Sequence, residues 1–305
     1  MFNKIYKKFF FSLFLLFFST QVLADGHPKG FPKCYKGEVS QTNFCPLSAK
    51  LGHKLFLVDF TSRWEGPQIE WVRKRIFGEG LINSTPPYHK ISYLKIDNVP
   101  PHSQKFVYSK CRFKTGIKTK FPGDEYNKKC EGQKVVKNIY SQWLAQINAA
   151  EDDFFPTNVE AEQSLIYEYI IHVLRESYAD FGSDYQQREL VIVSDLLQYS
   201  ERVNFFKHCT TTEEWLKGKN KRKANKCRTF KQLLKKNKTF KNYVEVTKPN
   251  QDMLKNLKIT VLFINHAYQT RPDLHVTLKK LWVDFFQHLG INSQNVEWIH
   301  QIDPE

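Results

Sequence analysis

Two short apolar runs, residues 55–59 (LFLVD) and residues 190–195 (LVIVSD), each end in an aspartate. An apolar run of this length, bounded by polar residues, predicts a strand that is buried on both faces. Asp59 and Asp195 would then lie at the edge of a sheet, which is where open α/β folds bind ligands and metal ions. The pair therefore predicts both a fold and the place of a functional site.

Strand and helix patterns alternate along the rest of the chain. Helical spacing is found at residues 68–77, 135–149, 160–178 and 272–289, and further strands are expected at residues 91–96, 106–108, 259–264 and 295–299. Apolar strands that alternate with helices are typical of a parallel sheet covered on both faces. The predicted fold class is α/β, with a doubly wound, mostly parallel central sheet and helices on both faces.

The first 24 residues have the pattern of a secretory signal peptide. Lys4, Lys7 and Lys8 precede an apolar run at residues 9–18, and Val-Leu-Ala at residues 22–24 predicts a cleavage site. The run is too short to cross a bilayer, which needs about 20 residues. We expect an exported protein, periplasmic or extracellular, without a transmembrane span in the mature chain. Residues 25–50 predict an irregular extension, and residues 51–305 predict one domain.

The chain contains six cysteines. An even number in an exported protein favours disulfides. We expect sequence neighbours to pair, although the sequence leaves other pairings open. Zinc is disfavoured because no CxxC or clustered Cys/His spacing occurs. The expected pairs are Cys34–Cys45, Cys111–Cys130 and Cys209–Cys227.

The positive charge is concentrated in one segment. The formal net charge is +15, and residues 207–241 hold thirteen Lys and Arg against two acids. Such an insertion is either simply solvated or attracts a polyanionic surface, and the residues expected to bind are Lys219, Lys221, Arg222 and Lys223. Interleaved Phe230, Leu233 and Phe240 predict that part of it is an amphipathic helix. Specific nucleic-acid recognition is not expected of an exported, disulfide-linked insertion.

Hydroxyl residues accompany the two strand-end aspartates. Asp59 opens the stretch Asp-Phe-Thr-Ser-Arg, and Ser164 lies where the predicted long helix begins. Thr157 is the alternative to Ser164 as the hydroxyl residue between the two aspartates. In these motifs the chain resembles a von Willebrand factor A-like domain of a divergent, exported bacterial type. That family is doubly wound. Its adhesion site combines DxSxS after the first strand, a Thr or Ser before a middle helix, and an Asp after the fourth strand.

The resemblance implies a site for a divalent ion, with Mg²⁺ as the expected cofactor. The implied ligands are Asp59, Thr61, Ser164 and Asp195. Mg²⁺ takes oxygen ligands and keeps several waters, so an open position could accept a carboxylate from a partner. Arg63 stands where the family has its last Ser, and this is a departure from the motif. The rim of the site would include Arg63, His266 and Arg271.

The same residues also admit a purely structural interpretation. Asp59 and Asp195 could cap helices and accept hydrogen bonds from loop amides without binding any ion. A hydrolase is disfavoured because no GxSxG, HExxH or P-loop spacing occurs. A phosphate-transferring aspartate typically has a second acid two residues on, and that position is Thr61. We therefore predict a non-enzymatic protein-interaction or adhesion-type module, with polyanion binding through residues 207–241 as the alternative.

Overall fold

The structure, a computed structural model, describes residues 27–61, 64–155, 161–175, 180–205, 229–264 and 272–301, with side chains of the last range from residue 276. The strands are β1 (Gly52–Asp59), β2 (Lys90–Ile96), β3 (Tyr108–Cys111), β4 (Gln187–Ser194), β5 (Leu257–Phe263) and β6 (Val296–His300). The α-helices are α1 (Gly66–Ile76), α2 (Gly78–Ser84), α3 (Gln133–Phe154), α4 (Ile166–Arg175), α5 (Phe230–Lys236), α6 (Lys238–Thr247) and α7 (Pro272–Leu289). Short 3-10 turns occupy Pro101–Ser103, Gln251–Leu254 and Ser293–Asn295.

The six strands form one mostly parallel sheet in the order β3-β2-β1-β4-β5-β6. Every neighbouring pair is parallel except β2 and β3, which are antiparallel. The predicted α/β class and the mostly parallel sheet are therefore confirmed. The short strand expected at residues 106–108 lies instead at Tyr108–Cys111, where it covers the edge of β2.

The core consists of two hydrophobic clusters that share the strands between them. Leu55 and Leu57 of β1 pack with side chains from α4, α5, α6 and α7. Phe56 and Val58 belong to the second cluster, with side chains from α1, α2 and α3. Successive residues of β1 therefore alternate between two clusters that contain side chains of different helices. This burial explains the apolar runs at residues 55–58 of β1 and 190–193 of β4.

Two helices begin and end where their local sequence directs. Pro67 lies in the first turn of α1, where Glu65 and Gln68 form a reciprocal capping box. The helix α7 spans the predicted residues 272–289, and Gly290 follows it with φ +95°. This left-handed conformation is typical of glycine after a helix.

The helix predicted from residue 160 begins only at Ile166. The backbone of Ser164 pairs with that of Tyr199 in both directions, so Ser164 is held in extended conformation. A residue whose N–H and C=O are used in this way cannot belong to the first helical turn. Ser164 therefore precedes α4 instead of lying within it.

The expected pairing of neighbouring cysteines is wrong at both places that the structure describes. The disulfides are Cys34–Cys130 and Cys45–Cys111, with sequence separations of 96 and 66. Local pairing assumed that residues 25–50 form a separate loop. Residues 27–50 instead lie along β3 and the loop after it, where the Cys111 N–H donates to the Asn43 carbonyl oxygen at 2.8 Å. Cys209 and Cys227 lie outside the described residues.

The disulfides are consistent with export into an oxidising compartment. In the part of the chain described above, no helix combines the length and the apolar character needed to cross a bilayer. The predicted signal peptide lies outside the described residues, and the predicted division at residue 51 stays a prediction.

Candidate functional site

The strand order reverses direction at the boundary between β1 and β4. From β1 the chain proceeds to β2 and β3 on one side, and β4 then returns to the other side of β1. In open α/β sheets, ligands bind outside the carboxyl ends of the strands at such a reversal. Asp59 is the last residue of β1 and Ser194 is the last residue of β4. The two polar side chains therefore stand at the position where this architecture binds ligands.

The Asp59 carboxylate is the centre of this site. It is only 1% exposed. Its Oδ1 accepts hydrogen bonds from the N–H and Oγ1 of Thr61, at 3.0 and 2.5 Å. Its Oδ2 accepts from the Oγ of Ser194 at 2.7 Å and from the Oγ of Ser164 at 3.3 Å. Three hydroxyl groups thus converge on one buried carboxylate, and two of them belong to the residues selected from the sequence.

Ser164 reaches Asp59 because two loops are paired. The Ser164 N–H donates to the Tyr199 carbonyl oxygen at 2.7 Å, and the Tyr199 N–H donates back at 2.9 Å. Gln198 secures the same junction, because its Oε1 accepts from the N–H of Tyr167 in the first turn of α4 at 2.8 Å. The segment before α4 is therefore fixed against the loop that follows β4. The side chain of Tyr199 is 44% exposed beside this junction.

Asp195 follows β4 and shapes the loop after it. Its Oδ1 accepts from the N–H of Leu197 at 3.0 Å, and Leu196 between them has φ +63°. The Nε1 of Trp282 donates to the Leu196 carbonyl oxygen at 3.0 Å and so supports this turn from α7. Asp59 and Asp195 thus each accept the N–H two residues further on. This much agrees with the structural interpretation.

The sequence did not single out Ser194, Gln198 or Glu168. Ser194 carried a usable signal, because it is the polar residue that ends an otherwise apolar run. Gln198 and Glu168 carried none, since their roles depend on how the loop after β4 folds. The Nε2 of Gln198 donates to Glu168 Oε2 at 2.9 Å, and Arg202 lies 3.7 Å from the other carboxylate oxygen. Burial raises the pKa of Glu168. Glu168 is therefore a second weakly solvated acid near the site.

Burial also raises the pKa of Asp59, and the hydrogen bonds from Thr61, Ser194 and Ser164 offset only part of that effect. Among the described residues, no basic side chain pairs with Asp59. Desolvation disfavours the charged form of a carboxyl group, whereas a nearby positive charge favours it. The site therefore holds a carboxylate that a bound cation would stabilise.

The pKa shift of Asp59 predicts an unusual pH dependence. Because the folded state holds the proton more tightly than the unfolded chain, ionisation above about pH 4 favours unfolding. We expect the wild type to lose stability relative to Asp59→Asn as the pH rises above about 4. Denaturant unfolding in the presence of a chelator, repeated at several pH values, measures the difference.

Asp180 is the matched control for this experiment, because its shift has the opposite sign. Burial acts to raise its pKa, but hydrogen bonds from Lys50, Lys90 and Tyr185 lower it to about 2. The wild type should therefore gain stability relative to Asp180→Asn as the pH rises from about 2 to 4. A gain of the same sign for Asp59 would contradict the prediction.

Several predicted residues lie outside the part that the structure describes. This holds for the alternative Thr157, the rim residues Arg63, His266 and Arg271, and the polyanion-binding residues Lys219, Lys221, Arg222 and Lys223. Their placement stays a prediction. The described end of the basic segment is amphipathic as predicted, since Phe230, Leu233 and Phe240 are buried. The lysines there are exposed: Lys231, Lys235, Lys236, Lys238 and Lys241.

The oxygen atoms around Asp59 are of the kind that Mg²⁺ prefers. A hydroxyl that donates its proton to Asp59 keeps lone pairs that can face a cation. Thr61, Ser164 and Ser194 each donate in this way. Within the described ranges, no cluster of three or more His, Cys, Asp and Glu side chains could hold a metal ion. An ion at this site would thus rely on hydroxyl oxygens more than on an acidic cluster.

No protein-family model matches this chain, and no curated protein matches it significantly. The proposed function therefore rests on the geometry around Asp59.

Proposed function

We propose that the chain is an exported, non-enzymatic interaction module that binds a protein partner at the boundary between β1 and β4. The observation that carries this proposal is the buried Asp59 carboxylate, which accepts hydrogen bonds from three hydroxyls at the reversal of strand order. A buried and poorly compensated charge is costly, and such groups cluster at functional sites. Binding is favoured over catalysis because all three hydroxyls share one carboxylate partner.

The fold that we propose is a doubly wound, von Willebrand factor A-like domain. The strand order and the two core clusters support this arrangement, and so does the order of the site residues along the chain. Asp59 ends the first strand and Thr61 follows it, Ser164 precedes α4, and Asp195 follows the fourth strand. We place the protein outside the cytoplasm, in the periplasm or in the extracellular space.

A divalent ion, Mg²⁺ in our proposal, would be held by the residues around Asp59. The candidates are Asp59, Thr61, Ser164 and Asp195, to which the structure adds Ser194. When bound, the ion would offer an open coordination position to an oxygen ligand of the partner. The chain's own residues would orient that position, because the Ser164–Tyr199 pairing fixes one hydroxyl and β4 fixes another.

The proposal predicts that Mg²⁺ stabilises the wild type and not Asp59→Asn. An ion that binds only the folded state at about 100 times its Kd contributes roughly 2.7 kcal/mol, which raises the Tm by several degrees. Thermal unfolding in excess Mg²⁺ and in chelator measures the shift. Asp180→Asn, which removes a carboxyl group at the other end of the strands, should retain it. An equal shift in Asp59→Asn, or none in the wild type, would remove the ion from the proposal.

Partner binding is tested with a photo-crosslinking residue at Tyr199, which is exposed beside the site. We expect a defined crosslinked protein in the native host, and we expect Asp59→Asn to abolish it. The same residue placed at Val246, which is 76% exposed on α6, is the matched control and should give no such product. A product that persists in Asp59→Asn would contradict a role for this site in binding.

A further inference from the structure

The loop between β3 and α3 buries two of its acids against two of its own basic residues. Arg112 donates from both Nη atoms to the carboxylate of Asp124, at 3.1 and 2.7 Å. Lys114 donates to Glu131 at 2.5 Å. All four side chains are buried. These two acids are thus neutralised inside the loop and offset none of the charge on its outer surface.

The outer surface of the same segment carries a strong positive charge. Six lysines between residues 118 and 137 are exposed, and Glu125 is the only exposed acid in this stretch. We call the six residues the lysine surface: Lys118, Lys120, Lys128, Lys129, Lys134 and Lys137. They lie in the described part of the chain and are distant in sequence from the basic segment at residues 207–241.

Close packing holds the lysine surface together. A Cβ built on Gly116, which has φ +79°, would lie 3.0 Å from Val136 Cγ1, so the loop packs closely against the first turns of α3. The disulfide Cys34–Cys130 anchors the end of the loop to the N-terminal extension. The lysines are therefore carried by a braced loop and helix instead of a free tail.

Two aliphatic side chains are exposed at this contact. Ile117, next to Gly116, is 53% exposed, and Val135, next to Val136, is 44% exposed. Aliphatic groups among lysines are the combination with which peripheral proteins enter the boundary between headgroups and acyl chains. Single-stranded nucleic acid is instead bound by exposed aromatic rings that stack on bases.

The lysine surface lies at the end of the sheet opposite to Asp59. Cys111, the last residue of β3, pairs with Lys90 at the start of β2. Asp59 pairs with Ile96 at the end of β2. The two surfaces are thus separated by the length of a strand, and a ligand at one does not depend on the other.

We propose that the lysine surface binds the anionic headgroups of a phospholipid membrane, with Ile117 and Val135 facing the headgroup boundary. Lysine ammonium groups are compact point charges that suit a diffuse layer of phosphates, whereas planar bidentate recognition uses arginine. Each lysine near an anionic bilayer strengthens binding about fivefold. This orientation would leave the Asp59 site directed away from the membrane.

The test is co-sedimentation of the purified protein with vesicles of phosphatidylglycerol and phosphatidylcholine, and with vesicles of phosphatidylcholine alone. We expect salt-sensitive binding to the anionic vesicles only. The variant Lys118→Gln, Lys120→Gln, Lys128→Gln and Lys129→Gln should weaken it on the order of 100-fold or more. The control variant has the same net charge and neutralises four exposed lysines of α5 and α6: Lys231→Gln, Lys235→Gln, Lys238→Gln and Lys241→Gln. It should bind within a few-fold of the wild type.

Three outcomes would overturn the proposal. The first is absence of wild-type binding to anionic vesicles. The second is loss of binding in the control variant and not in the test variant, which would assign the membrane contact to the basic segment at residues 207–241. The third is tighter binding of single-stranded RNA than of vesicles through the lysine surface. Asp59→Asn should bind vesicles as the wild type does, so failure of the proposed function would leave this result unchanged.

Discussion

Replacing Arg112 with methionine is expected to lower the free energy of unfolding by about 3–5 kcal/mol. Arg112 and Asp124 are fully buried and form a bidentate pair. Removal of one partner leaves the other charge buried without compensation, which costs more than the pair itself contributes. Methionine keeps most of the side-chain volume, so the loss reports the unpaired Asp124. Urea unfolding monitored by the intrinsic fluorescence of tryptophan measures it.

Two further variants separate charge from packing. The double variant Arg112→Met with Asp124→Leu leaves no member of this pair charged. It also removes the buried Arg112 Nε, which has no hydrogen-bond partner among the described residues. Recovery should be partial, because Asp124 also accepts from the N–H of Thr115 and the hydroxyl of Thr119. Lys74→Met breaks an exposed pair with Glu70 and should change stability little. If Arg112→Met lowers the free energy of unfolding as little as Lys74→Met does, the buried pair does not stabilise the loop.

The α/β class and the mostly parallel sheet were predictable because hydrophobic burial leaves a direct trace in the sequence. The runs that became β1 and β4 are apolar almost throughout, and a strand with that pattern must be covered on both faces. The helix α7 was predictable from local start and stop signals, since Pro272 and Gly290 mark its two ends. The boundary of α4 was not predictable, because pairing between Ser164 and Tyr199 overrides local helix propensity and depends on residues distant in sequence.

The candidate site was predictable only in part. Asp59 and Thr61 are close in sequence, and a strand end followed by a turn brings their side chains together. Ser164 was found through resemblance to a family motif. Ser194 and Gln198 were missed because hydrogen bonding between adjacent strands and loops leaves no periodic pattern. A search for polar residues that end apolar runs would have found Ser194, and it suggests a simple rule for parallel sheets.

Charge and cysteine pairing were predicted less well, and for related reasons. A count over the whole chain assigns the excess charge to residues 207–241, because acids elsewhere cancel the lysines between residues 118 and 137. Asp124 and Glu131 are buried against Arg112 and Lys114, so Glu125 is the only exposed acid among these lysines, which a count cannot detect. The pairing of neighbouring cysteines likewise assumed that chain proximity decides contacts. In the structure, residues 27–50 pack against β3 and its following loop, so distant cysteines meet.

The nonlocal disulfides should also contribute strongly to stability. Removal of Cys45–Cys111 by Cys45→Ala with Cys111→Ala is expected to cost about 4 kcal/mol, from the chain-entropy model for a sequence separation of 66. The shorter loops of the expected local pairing would have contributed less, because this entropy grows with the logarithm of loop length. Guanidinium unfolding of both proteins measures the difference.

The slope of that unfolding curve distinguishes the two possible origins of the loss. If the disulfide acts by restraining the unfolded chain, its removal exposes more surface on unfolding, and the m-value should rise together with the fall in stability. A loss of stability at constant m would instead place the effect in native packing around Cys111, which is buried. Cys34→Ala with Cys130→Ala is the matched control, because Cys130 is exposed and closes an even longer loop of separation 96. The chain-entropy account requires this second variant to lose at least as much stability, whereas an account based on packing requires it to lose less.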